Sequence, residues 1–192
     1  VWVNIKKLPM NYSRRDHGFF VLLALCNFGL NYLVLYWAQH YLTSAMASIA
    51  FSMLLLMNIV NTRLFFGKPI AKRIYTGALI GVLGIISLFW PQLQQFDLSN
   101  GALVGLLLAL AGTFVASLGN MISVRNSQQR IGVMQGNAWG MLYSAIGLFV
   151  YVIISGADFS LSAPASYWYS LVYLSVFGTV IAFACYFALL KN

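Results

Sequence analysis

The basic residues of this chain obey a parity. Lys6, Lys7, Arg14 and Arg15 precede the first long apolar stretch, and Arg63, Lys68, Lys72 and Arg73 separate the second from the third. Arg125 and Arg130 separate the fourth from the fifth, and Lys191 follows the sixth. The intervening breaks hold Gln39 and His40, then Asp97, then Asp158, with no Lys or Arg. Water gives no reason for such alternation, whereas a bilayer does, because short loops rich in Lys and Arg are retained on the cytoplasmic face. The chain therefore reads as an all-α, polytopic transmembrane helix bundle of six spans, with both ends of the segment cytoplasmic.

Composition excludes the alternatives. With 61% hydrophobic and 7% charged residues, the chain lies far from the roughly 25% charged residues of soluble domains. The formal charge of +8 is scattered over short loops without an aromatic platform beside it, so it records topology and not a nucleic-acid surface. Cys26 and Cys185 lie inside apolar stretches, where a thiol behaves as a small hydrophobe. They form neither a disulfide nor a metal site in this reading. The chain opens on Val1-Trp2-Val3 ahead of Lys6 and Lys7, which reads as the end of an earlier helix and suggests an excerpt of something longer.

A hydrocarbon core about 30 Å thick needs about 20 helical residues. That length is met near 18–38, 43–62, 74–91, 100–123, 132–155 and 166–189. Pro91 is expected to end the third span, Pro164 to precede the sixth, and Gly67-Lys68-Pro69 to turn the second basic loop. Tyr36, Trp37 and Tyr41, then Trp90, then Tyr167, Trp168 and Tyr169 collect at the acidic or neutral breaks, as rings do at a headgroup interface. A short repeat joins the first and last spans: Leu25, Phe28-Gly29 and Tyr36-Trp37-Ala38 match Leu174, Phe177-Gly178 and Tyr186-Phe187-Ala188. By the charge parity these two spans cross in opposite directions, which points to inverted repeats, a building plan of secondary transporters.

Acids are confined to Asp16, Asp97 and Asp158, outside the spans, and Glu is absent. No carboxylate pair, metal-ligand cluster, nucleophile elbow or phosphate loop is present, so an enzyme, a metal site and a bound cofactor are not expected. His17 reads as a solvated loop residue beside Arg14, Arg15 and Asp16, and His40 as an interface residue at the opposite mouth. Neutral polar residues within the spans carry more, since each needs a neighbour or cavity water. Asn27 and Asn31 share one face of the first span, Ser44, Ser48 and Ser52 repeat every four residues on the second, and Thr113, Ser117 and Asn120 follow a helical stripe on the fourth. Gln135 and Asn137 enter at the basic end of the fifth. Gly77 and Gly81, Gly101 and Gly105, and Gly132, Gly136 and Gly140 have the small-xxx-small spacing of close helix packing.

The run Tyr36-Trp37-Ala38, then Leu42-Thr43-Ser44-Ala45, Leu64-Phe65-Phe66-Gly67 and Gly77-Ala78-Leu79-Ile80-Gly81-Val82-Leu83-Gly84 resembles the EamA type of the drug/metabolite transporter superfamily. The resemblance covers nearly the whole chain and implies part of a ten-helix, inverted-repeat fold, here the region similar to helices three to eight. Residues 1–91 would be the C-terminal part of the first repeat and 92–192 the N-terminal part of the second. Lys68 stands where the family usually has Glu after the glycine.

The resemblance implies a carrier of small organic solutes, such as amino acids or other metabolites, in the bacterial inner membrane, working by alternating access and generally as an exporter. Its partners would be the lipid bilayer and a small-molecule substrate, with a homodimer left open and no nucleic acid. Polarity and depth nominate Asn27, Asn31, Tyr32, Tyr36, Ser48, Ser52, Thr113, Ser117, Asn120 and Asn137 as cavity-lining, substrate-binding residues. The rival reading is a membrane scaffold that transports nothing and uses its polar stripes for packing alone.

Overall fold

A computed structural model describes residues 10–67, 69, 71–88, 90–94, 100–156 and 164–181, which form helices and short connections with no strand among them. Asp97, Asp158, Cys185 and the Tyr186-Phe187-Ala188 half of the short repeat lie outside the described residues. The chain divides into two compact units, residues 1–148 and 149–192.

In the first unit, the opening helix begins where the sequence supplies a cap. The Ser13 hydroxyl accepts the Asp16 N–H at 3.2 Å and donates to the Asp16 carboxylate at 2.6 Å, satisfying an orphan donor of the first turn. Helix α1 (Arg14–Leu23) then widens into a π-helical segment, π1 (Ala24–Gly29), and resumes as α2 (Leu30–Ala38). The Leu30 N–H reaches back five residues to the Leu25 carbonyl.

Thr43 caps α3 (Ser44–Ser52), accepting the Met46 N–H at 3.3 Å. The second span then breaks at Met53 before α4 (Leu54–Phe66). At the break the Ser52 hydroxyl donates to the Ile49 carbonyl at 2.6 Å and the Met53 N–H to the Ala50 carbonyl at 3.2 Å, so local bonds interrupt the regular ladder. Gly67 ends α4 at φ 61°, a left-handed cap that costs a residue without Cβ nothing.

Helix α5 (Lys72–Leu88) is followed by α6 (Trp90–Gln94), which contains Pro91, the residue expected to end the third span. Helix α7 (Asn100–Gln128) runs past its expected end at 123 and closes where Arg130 adopts φ 60°. There the Arg130 N–H bonds Ser127 and the Ile131 N–H bonds Asn126, a Schellman arrangement. Helix α8 (Val133–Ile154) follows at the expected place and carries the boundary between the units. In the second unit, α9 (Ala165–Tyr173) leads after Pro164 into a second π-helical segment, π2 (Leu174–Ile181).

Four of these stretches, Arg14–Ala38, Ser44–Phe66, Gly101–Gln128 and Val133–Ile154, are long and apolar enough to cross a membrane. Leu22, Leu25, Leu64, Leu107 and Phe149 on them are exposed, a surface suited to hydrocarbon and not to water.

The seam that positions the polar residues lies between the first span and α7, which pack antiparallel. A Cβ built on Gly105 would fall 2.7 Å from the Tyr41 Cβ, one on Gly112 would fall 3.3 Å from the Asn31 carbonyl, and one on Gly119 would fall 2.6 Å from the Asn27 amide oxygen. These glycines recur every seven residues and so keep one side of α7 bare for the approaching backbone. Ala38, Leu42, Met46, Ala50 and Ala109 form the apolar core at the Tyr41 end of that seam. The opposite, basic end is tied by Asp16 and Arg125.

Candidate functional site

Between the apolar core and the basic end, three spans share a chain of neutral hydrogen bonds. Asn27 of π1 donates to Asn120 of α7 at 3.3 Å, and Asn120 donates to Asn58 of α4 at 3.3 Å. The Asn58 amide oxygen also accepts the Ser117 hydroxyl at 2.8 Å, and Ser117 accepts from Asn61 at 2.8 Å. Ser117 and Asn61 are buried, whereas Asn27, Asn58 and Asn120 are half-buried. The network thus has a short, enclosed part and a longer, more open one. Bonds at 3.3 Å lie beyond the usual N–H···O range and yield first to a competing donor or acceptor.

Geometry explains why Asn27 reaches the network. It sits inside π1, where the extra residue per turn widens the helix, and it faces the bare Gly119. π-helical segments inside α-helices recur at functional sites. Asn31 is buried one turn on, 5% exposed, with its carbonyl against Gly112 and its side-chain oxygen unpartnered among the described residues.

The nominated residues separate into two groups. Asn27, Ser117 and Asn120 converge, and Asn31 lies on the same seam. Thr113 is fully buried on that stripe but spends its hydroxyl on the Ala109 carbonyl of its own helix, at 2.7 Å. Ser48 and Ser52 likewise bond carbonyls of their own helix. Tyr32 and Tyr36 are 49% and 64% exposed, and Asn137 is half-buried on α8 apart from the network. Asn58 and Asn61 are the members that sequence reading missed. Their signal was present, two amides three residues apart within the apolar run from Leu54.

A second cluster lies at the basic end. The expectation that His17 is a solvated loop residue is corrected: it is half-buried in the second turn of α1, with Nδ1 2.7 Å from the Tyr143 hydroxyl and its ring 4.7 Å from that of Trp139. Arg125 pairs with Asp16 at 3.2 Å, bonds the Asn126 side chain at 3.1 Å and lies 3.7 Å over the Phe19 ring. His40 lies exposed in the turn at the other mouth. Among the described residues no group of His, Cys, Asp and Glu is placed to hold a metal ion.

The family model of the EamA-like transporter family matches residues 1–90 and 103–192. No curated protein and no solved structure matches the chain. An apolar helical chain with membrane-length spans, matched over nearly its whole length by that model, belongs to the EamA-like transporter family.

Proposed function

We propose that this chain forms part of a secondary carrier that moves small organic solutes, such as amino acids or related metabolites, across the bacterial inner membrane by alternating access, in the export direction. The observation that carries this reading is the network joining Asn27, Asn120 and Asn58, which brings three spans together through neutral amides. Amides offer both donors and acceptors, so the ammonium and carboxylate of a zwitterion can each replace one of the two 3.3 Å bonds without a buried counter-charge. The shorter Ser117–Asn58 and Asn61–Ser117 bonds hold the framework while the longer pair exchanges with solute. Both ends of the segment then lie in the cytoplasm, following the charge parity.

The assignment of residues 1–91 to the C-terminal part of a first repeat and 92–192 to the N-terminal part of an inverted second one is supported by the two matched segments and by a shared local irregularity. Leu25–Gly29 and Leu174–Gly178 carry the matching Leu-x-x-Phe-Gly, and each lies in a π-helical segment. The second reading, a scaffold that transports nothing, draws on the fact that network members satisfy one another.

The test is uptake and efflux of a radiolabelled panel of amino acids and small metabolites in vesicles holding the full-length protein. Saturable flux that falls at least tenfold in Asn120→Leu, at unchanged protein level, supports the carrier. Absence of flux for every member with folded protein, or loss of the protein itself in the variant, favours the scaffold.

A further inference from the structure

At the basic end, donors outnumber acceptors. Asp16 is the one carboxylate among the described residues, and both its oxygens are taken, Oδ2 by the Ser13 hydroxyl and Oδ1 by Arg125. The guanidinium groups of Arg14, Arg15 and Arg130 are exposed and hold no partner among the described residues.

Arg125 differs from these in being fixed. Its Nη1 donates to Asp16 at 3.2 Å and to Asn126 at 3.1 Å, and its guanidinium carbon lies 3.7 Å over the Phe19 ring. Three groups thus hold the guanidinium in place, while the side chain keeps 21% of its surface accessible. Both hydrogen bonds leave through the same nitrogen. Nε and Nη2 make none among the described residues, and a guanidinium takes a phosphate best through two parallel N–H groups. A donor edge that is already ordered loses little freedom when an anion arrives.

Depth and neighbours select the anion. Arg125 lies in the last turn of α7 and Asp16 in the first turn of α1, so the guanidinium stands where two membrane-length helices end, the level of phospholipid headgroups. On α1, Arg15, Phe19 and Leu22 follow i, i+4, i+7 and share one face. Arg15 is exposed above Phe19 and Leu22 is 47% exposed below it. Along that face the order is a free guanidinium, a ring carrying a second guanidinium, and bare hydrocarbon. That order suits an amphiphile and not a soluble anion.

We propose that Arg125 and Arg15 bind the phosphodiester of an anionic phospholipid at the basic end of the first and fourth spans, with an acyl chain lying along Leu22. The phosphate takes the Nε and Nη2 edge that Asp16 leaves open. Asp16 helps to orient Arg125 and, as an anion beside the phosphate, also limits its affinity. A choline lipid brings its own cation against the arginines and is disfavoured. The site goes beyond the carrier reading and does not depend on flux.

The experiment uses the full-length protein purified in a nonionic detergent, with phosphatidylglycerol, phosphatidylcholine and soluble glycerol phosphate as probes. Retained lipid is measured by native mass spectrometry and the thermal midpoint is read alongside, since a ligand of the folded state raises it. Phosphatidylglycerol is expected to be retained and to raise the midpoint, and the other two probes to do neither. Arg125→Gln should weaken retention about tenfold or more, the loss expected when charge-assisted bonds to a phosphate are removed. Arg15→Gln should weaken it less, and Arg73→Gln, at an exposed arginine of another basic loop, should leave it unchanged. Should Arg125→Gln not fold, Asp16→Asn carries the test: it removes the competing carboxylate and frees Nη1, so retention rises, whereas an ion pair that only ties the spans together would leave retention untouched. Equal retention in the parent and Arg125→Gln, equal loss in Arg73→Gln, or no gain in Asp16→Asn overturns the site. Glycerol phosphate bound as tightly as the lipid overturns the lipid and assigns the guanidinium to a soluble anion.

Discussion

The two halves of the α7 seam solve the same packing problem with different chemistry. Toward Tyr41, bare Gly105 receives the Cβ of Tyr41, the Leu42 side chain and the Ala38 carbonyl, and the surrounding core is Ala, Leu and Met. Toward the basic end, bare Gly119 receives the Asn27 side chain, its amide at 2.6–2.7 Å and its Cβ at 3.1 Å from a built Cβ, and the neighbours are Asn58, Ser117 and Asn120. A backbone-near contact cannot move aside, while an amide tip can. The first half fixes the helices against each other, and the second leaves polar groups free to change partners.

The strongest way to break that contrast is to add the same methyl group to both halves. Gly105→Ala forces a Cβ to within 2.8 Å of the Leu42 Cγ and 2.7 Å of the Tyr41 Cβ, and no side-chain rotation moves the latter out of the way. Overpacking of this kind costs about 1–3 kcal/mol, so the thermal midpoint of the purified full-length protein in detergent should drop by several degrees. Gly119→Ala displaces the Asn27 amide from Asn120 and meets the Asn27 Cβ at 3.1 Å, a milder overlap than at Gly105, so it should lose flux with a smaller fall in midpoint. Equal destabilisation by the two substitutions would dissolve the distinction.

How much of this was legible in the sequence follows the same division. The lengths of the apolar runs placed the first, second, fourth and fifth spans, because the bilayer imposes that constraint residue by residue. The partners of the polar residues were not legible. A hydroxyl can satisfy itself on its own helix, as Thr113, Ser48 and Ser52 do, and period alone does not tell a self-bonded Ser from a shared one. An amide does so less readily, and Asn27 and Asn120 bond each other across spans. His17 was misread because its environment comes from Trp139 and Tyr143, far along the chain, while its sequence neighbours are charged.

Asn58→Leu sharpens the comparison from the polar half. Asn58 is the acceptor shared by Ser117 and Asn120, so its loss strands two donors at once. Each stranded donor in a protein interior costs about 1–3 kcal/mol, but membrane measurements average near 0.6 kcal/mol because polar groups find other partners. A loss of about 1 kcal/mol is expected, smaller than that of Gly105→Ala, together with loss of flux at an expression level close to the parent's. Destabilisation exceeding that of Gly105→Ala would show that the amide half also carries the packing.

The smallest effect should come from Thr113→Val, which lies on the α7 stripe between the two halves. Its hydroxyl is fully buried yet bonded within α7, to Ala109, so the substitution removes one donor and leaves the Ala109 carbonyl its usual helical partner. The side chains are nearly equal in volume, and no partner on another span loses a bond. A stability change within about 0.5 kcal/mol and unaltered flux are expected, in contrast to Ser117→Ala, whose hydroxyl joins Asn58 to Asn61 across the helix boundary. If Thr113→Val abolished flux while Ser117→Ala did not, the solute path would run along the Asn31 side of the seam, and the network would be framework alone.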